Sequence, residues 1–250
     1  MPTSFLIPEI YTTTEHDHHL FQLWHEIHQL PPADLNITLD FQKCTFLSHN
    51  GVAFLGGLAH FIQARGGKIT FQWDTLLPAI RTNLAQNGFL SKFGADQPPW
   101  DGNSIPYRSD RHPTPQDILD YLMHKWLGKG WVNISEGLQC AIAGRVWEIY
   151  DNALTHSQSE IGIFSCGQHY PNRKELHLTL LDFGVGIPTQ VRSLPQNAHL
   201  PTPQALPRQQ HRRSTYRTRT NRPRHGTPPP PRIPHPKPRT AQNLQQRRLR

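Results

Sequence analysis

A chain of 250 residues has room for one or two domains and can bury a proper core. Its formal charge of +8 is unevenly spread: residues 193–250 hold 13 of the 26 Lys and Arg and none of the 18 Asp and Glu, which leaves residues 1–192 with a net of −5. A mildly acidic folded part with a basic end excludes a uniform nucleic-acid-binding surface.

Cys44, Cys140 and Cys166 are isolated thiols without paired spacing, which fits a reducing cytosol better than a disulfide framework. The N-terminus has no basic n-region, so no signal peptide is expected. The longest apolar run, Gly51–Ala59, is too short and glycine-rich to span a bilayer. The expectation is a cytoplasmic protein with no membrane partner.

Taken in order, residues 15–30 read as an amphipathic helix, with Leu20, Phe21, Trp24, Ile27 and Leu30 at helical spacing and Pro31-Pro32 as its stop. Its polar face carries His16, His18, His19, His25 and His28. His25 and His28 lie one turn apart, but no Cys or paired acid completes a metal sphere, and a solvated face is the expectation. Two short strands follow, Asn36–Phe41 and Cys44–Leu47. His49-Asn50-Gly51 opens a helix running to about Ala64 and closing on Gly66-Gly67. Lys68–Asp74 reads as a strand, and Leu76–Phe93 as a helix broken near Asn87-Gly88. The order β-β-α-β-α predicts an open sheet with helices packed on it.

That order, with Leu39-Asp-Phe-Gln-Lys-Cys-Thr-Phe-Leu-Ser-His-Asn-Gly51, resembles the STAS domain, a small module of anti-sigma-factor antagonists. The resemblance covers roughly residues 5–94 and implies a partner-docking or intramolecular packing role. In the regulated members an Asp followed by a phosphorylatable Ser precedes the first long helix. Here Ser48 and His49 stand at those positions, and Ser48 also reads as a plain helix cap.

Residues 95–115 are rich in Pro, Gly and polar residues and read as an interdomain linker. Pro113–Gln116 leads into a helix at about Asp117–Leu127, with Ile118, Tyr121, Leu122 and Trp126 on its apolar face. Ser135 is a suitable N-cap for a helix to about His156. Its expected buried stripe is Leu138, Ile142, Val146, Ile149 and Ala153, with Arg145, Glu148 and Asn152 on the neighbouring stripe. Ile161–Cys166 and Leu176–Leu181 read as strands, and Asp182 ends the second of them.

Two stretches carry the chemistry. Glu148-Ile-Tyr-Asp-Asn152-Ala-Leu-Thr-His156 and Asp182-Phe-Gly-Val-Gly186-Ile-Pro188 resemble the N box and G1 box of the GHKL ATPase domain, shared by gyrase, anti-sigma-factor kinases and sensor histidine kinases. The match covers roughly residues 115–192. It implies ATP and Mg²⁺ as cofactors and a protein partner in a signalling pathway. By the family's pattern Asp182 accepts a hydrogen bond from the adenine amine. Gly184 and Gly186 let the backbone turn beneath the base. Asn152 binds Mg²⁺ through its carbonyl oxygen, and Glu148 acts as general base or orients an acceptor hydroxyl. The residues also admit plainer readings. Glu148 can pair with Arg145 on the helix surface, and Asp182 can cap the turn at Gly184. No phosphoacceptor-His helix pair of the sensor-kinase type is visible, so autophosphorylation is not expected.

The family continues past the G1 box with a helix, a glycine-rich lid for the phosphates, and a closing strand and helix. Residues 193–250 contain 12 of the 24 prolines, one glycine (Gly226) and one aromatic residue (Tyr216). They are expected to be disordered and to supply no lid. A truncated or frameshifted C-terminus accounts for that change; translating the parent DNA in its other two frames tests it. The functional alternative for this end is an arginine-rich arm that binds nucleic acid without specific readout.

The fold class expected is therefore α/β: a small STAS-like β-α sheet domain over 1–94, a linker over 95–115, an incomplete GHKL α/β two-layer sandwich over 116–192, and a disordered Pro/Arg-rich tail over 193–250. The functional expectation is an ATP-binding regulatory protein weakened by loss of the lid. The alternatives are a non-enzymatic scaffold and, third, a nucleic-acid binder acting through the tail.

Overall fold

A computed structural model describes residues 2–185 and 214–219. They form a mixed α/β structure with two sheets. The first sheet is parallel, in the order β1 (Thr3–Leu6), β2 (Asn36–Asp40), β3 (Lys68–Phe71). Parallel neighbours need crossovers, and α1 (Thr14–His28) and α2 (His49–Ala64) supply them. Helices α3 (Pro78–Gln86) and α4 (Phe89–Lys92) follow, separated at Asn87-Gly88 as the sequence predicts, with Gly88 at φ +78°. The second sheet is antiparallel, in the order β4 (Ser104–Asp110), β5 (Ile163–Tyr170), β6 (Glu175–Asp182), β7 (Ser214–Arg219). Between β4 and β5 the chain forms α5 (Pro115–Asp120), a π-helical turn over Tyr121–Trp126, and α6 (Glu136–His156).

Several expectations change. The stretch Cys44–Leu47 is not a strand. The Cys44 amide closes a turn onto the Phe41 carbonyl, and Leu47 makes one isolated bridge to Ile10. The first strand is instead Thr3–Leu6, so the first part of the chain alternates β-α-β-α-β. Residues 95–115, expected to be a linker, contribute β4. That strand sits at the sheet edge, where Pro106 falls in a break of register between Ile105 and Arg108 and costs no ladder bond in a central strand. Residues 214–219, inside the stretch expected to lack structure, pair with β6 as β7; the remainder of the tail lies outside the described residues.

The cap expected at Ser135 forms, whereas Ser48, read as a cap of α2, makes no side-chain capping bond. The Ser135 hydroxyl accepts the Leu138 amide at the start of α6. Thr114 and Asp117 form a reciprocal capping box at α5. Ile118, Tyr121, Leu122 and Trp126 are all buried.

Helix α2 is the centre of the molecule. It has no charged residue between His49 and Ala64, and twelve of its sixteen residues are buried. A helix apolar on all sides must be covered on all sides. The first sheet covers one side of α2, and β5 and β6 cover another. Two glycines make this possible: a Cβ at Gly56 would overlap the Tyr107 ring, and one at Gly57 would overlap Phe183. The far face of the second sheet packs on α5 and α6 in a separate core containing Trp126, Val146, Tyr150, Leu176 and Leu178. Both faces of β6 are therefore covered, and all eight of its residues are buried.

No described helix is long and apolar enough to cross a membrane. Cys44 and Cys166 are buried free thiols and Cys140 is an exposed one.

Candidate functional site

Helix α6 presents Ala143, Val146, Tyr150 and Ala153 to the sheet. Leu138, expected in that stripe, is 47% exposed, and Ile142 and Ile149 are half-buried. The stripe is thus rotated from the expected one, which moves the polar residues as well. Glu148 and Asn152 lie two and six positions after Val146, about 200° and 240° around the helix at ~100° per residue. Both are exposed on the side facing away from the sheet. A ligand resting on the sheet would not meet them. Glu148 accepts two hydrogen bonds from Arg145 Nη1, at 2.9 and 3.1 Å. Exposed pairs of this spacing contribute only about 0.2–0.5 kcal/mol.

Asp182 is different. It is the last residue of β6, 2% exposed, and its Oδ1 accepts the Gly184 amide at 2.9 Å. This is the turn-capping role open to it in the sequence. The next residue, Phe183, points into the core around α2. Its ring lies 4.8 Å from that of Trp24 and 5.8 Å from those of Phe54 and Phe164. Gly184 is required by close approach, since a Cβ there would overlap the Ser157 carbonyl. Gly186 lies outside the described residues.

The two motifs nonetheless meet. Ser157, the C-cap of α6, accepts the Val185 amide at 2.8 Å through its carbonyl. The end of the Glu148-containing helix is therefore fastened to the Asp182 turn by backbone. The structure brings together the helix end, Asp182 and Gly184. It leaves Glu148 and Asn152 on the outer face.

Two cavities, of about 280 Å³ and about 430 Å³, lie elsewhere, and none of Glu148, Asn152, Asp182 and Gly184 lines either. Among the described residues no group of three His, Cys, Asp or Glu side chains is placed to hold a metal ion. His25 instead shares a hydrogen bond of 2.8 Å with Gln29, and the His28 ring stacks over Phe61 at 6.0 Å.

Sequence reasoning missed three features. One is the Ser157 carbonyl, a backbone group with no side-chain signature. Another is a buried pair, His177 Nε2 to Glu175 Oε2 at 3.0 Å; the i, i+2 spacing on a strand, which puts both on one face, was the available signal. The third is His49, 2% exposed with neither ring nitrogen hydrogen-bonded. Burial first, and the His177 charge second, push its pKa down to about 3.

Comparisons of the chain with protein-family models, with curated proteins and with solved structures found no match.

Proposed function

We propose that this protein is a cytoplasmic regulator that engages an adenine nucleotide weakly at the Asp182 turn and acts on a protein partner, in the manner of GHKL-type switches. The supporting observation is the Ser157–Val185 backbone bond, which joins the helix carrying Glu148 and Asn152 to the turn carrying Asp182 and Gly184. In this reading the buried Asp182 carboxylate, which already accepts the Gly184 amide, also recognises the adenine amine. Asn152, as the family's Mg²⁺ ligand, would have to reach phosphates from the outer face of α6. The single glycine of residues 193–250 offers no material for a glycine-rich lid. Both points favour weak binding, with a dissociation constant of about 1 mM or above, equivalent to no more than ~4 kcal/mol. With Glu148 turned away from the Asp182 turn, hydrolysis of ATP is not expected.

Titration of the full chain with Mg-ATP, monitored by ligand-observed NMR, tests this. The expected result is millimolar binding that Asp182→Asn removes, with no hydrolysis. Binding well below millimolar would overturn the weak-site proposal, and binding indifferent to Asp182→Asn would remove the adenine assignment.

A second reading has its own support. Phe183 is packed among Trp24, Phe54 and Phe164, so the turn also serves as a fastening between α2 and the second sheet. That favours a non-enzymatic scaffold with the former nucleotide turn retained for packing. Absence of any nucleotide binding, with a stability loss on Phe183→Ala, is its expected signature. The arginine-rich end, the basis of the nucleic-acid reading, lies outside the described residues apart from β7.

A further inference from the structure

The smaller cavity, about 280 Å³, opens between the first part of the chain and the β5–β6 hairpin. One wall is a pair of flat rings, Tyr11 stacked on Phe46 at 4.5 Å and 9°. The hairpin supplies Tyr170, with the Arg173 guanidinium over its ring at 5.8 Å. Thr12, Ser48, Pro171 and Asn172 also line the cavity, and no Asp or Glu contributes to it. Arg173 is thus the one lining residue with a permanent charge. The His177 ring also reaches the cavity, but its Nε2 is engaged with the buried Glu175 carboxylate at 3.0 Å.

Behind this wall stands His49. Its ring centroid is 5.3 Å from that of His177 and 6.3 Å from that of Tyr170, both lining residues. Two buried ring nitrogens without hydrogen bonds are expensive in a closed core. Ser48, the N-cap residue of α2, makes no side-chain capping bond; its hydroxyl donates to the Asn50 side chain instead. The first turn of a sixteen-residue helix is therefore left without its own side-chain cap at the cavity wall.

We propose that this cavity binds a small aromatic anion. The flat body would lie against Tyr11 and Phe46, and the phosphate or carboxylate would meet Arg173, with Thr12 and Asn172 as further polar lining. The volume, about 280 Å³, lies just below the ~300–1,000 Å³ range of drug-sized sites and suits a smaller ligand. The cation and the rings come from opposite parts of the chain, so an occupant bridges them. The site is separate from the Asp182 turn and does not depend on the nucleotide reading.

Calorimetric titration of the full chain with phenyl phosphate, benzoate and phenol tests the proposal. Binding of either anion, with phenol at least about tenfold weaker, is the expected result; the preferred anion separates a phosphate ligand from a carboxylate one. Arg173→Gln is expected to weaken the better anion by about tenfold or more, the scale of one lost charge-assisted contact. Arg173 is exposed, so this variant should keep its thermal midpoint. Failure of both anions to bind at ~10 mM, or an Arg173→Gln variant that binds as the parent does, overturns the assignment.

Discussion

At neutral pH the His49 imidazole carries no charge, because burial beside His177 holds its pKa near 3 against an ordinary value of 6.5. The unfolded chain takes up this proton as pH falls through 6.5, while the folded chain does not until about 3. Stability from this group is therefore intact above 6.5 and is lost progressively from there toward 3. At pH 5 the loss is about 2 kcal/mol, set by the unfolded pKa alone. Urea unfolding at pH 7.5 and pH 5 measures it. His49→Leu, which cannot take the proton, is expected to lose less on acidification than the parent. Equal losses in the two proteins would remove His49 as the source. Asp182 makes the same point about environment: an acid at a strand end reads alike in the sequence whether it meets a ligand or its own turn. The Gly184 amide at 2.9 Å shows that the turn is at least one of its partners.

At the scale of elements, the contact between α2 and the Phe183 turn decides how the layers meet. Gly57 leaves a notch that the Phe183 ring fills, and a methyl at this position has nowhere to go. Gly57→Ala is expected to cost about 1–3 kcal/mol by overpacking, despite the better helix propensity of Ala. Phe183→Leu shrinks the opposing ring and should return part of that loss when combined with Gly57→Ala. A double-mutant cycle in urea checks this. Additive effects would mean that the two residues do not share the notch. Helix α6 shows the converse case. Its boundaries and cap follow the sequence closely, yet its rotation differs, because Tyr150 is fully buried in the second core whereas Ile142 and Ile149 pack against it only partly buried.

For the molecule as a whole, the two parts recognisable in the sequence share a core. Cys166 and Leu181 of the second sheet belong to the same buried cluster as α1, α2 and the first sheet, with Tyr107 and Phe183 packed against it. A fragment of residues 1–94 would leave one side of α2 uncovered around Gly56 and Gly57. It is expected to bind a hydrophobic dye and self-associate, whereas the full chain does neither. Size-exclusion chromatography with dye fluorescence makes the comparison. A monomeric 1–94 fragment with the parent's unfolding midpoint would show instead that the first part folds by itself.

Sequence alone determined what depends on neighbours along the chain. The helix start at Ser135, the break at Asn87-Gly88, the apolar face Ile118, Tyr121, Leu122 and Trp126, and Asp182 at its strand end are all set by spacing and backbone preference within a few residues. The α/β class follows from those elements. Only the tertiary structure decided what depends on distant residues: that 95–115 holds an edge strand, that β7 closes the second sheet, and that α2 is covered from two sides. It also decided that Glu148 and Asn152 face outward. The reason is physical. A helix with apolar residues at several registers can turn any of them inward, and the choice falls to the volume offered by the opposing layer, which no local pattern specifies.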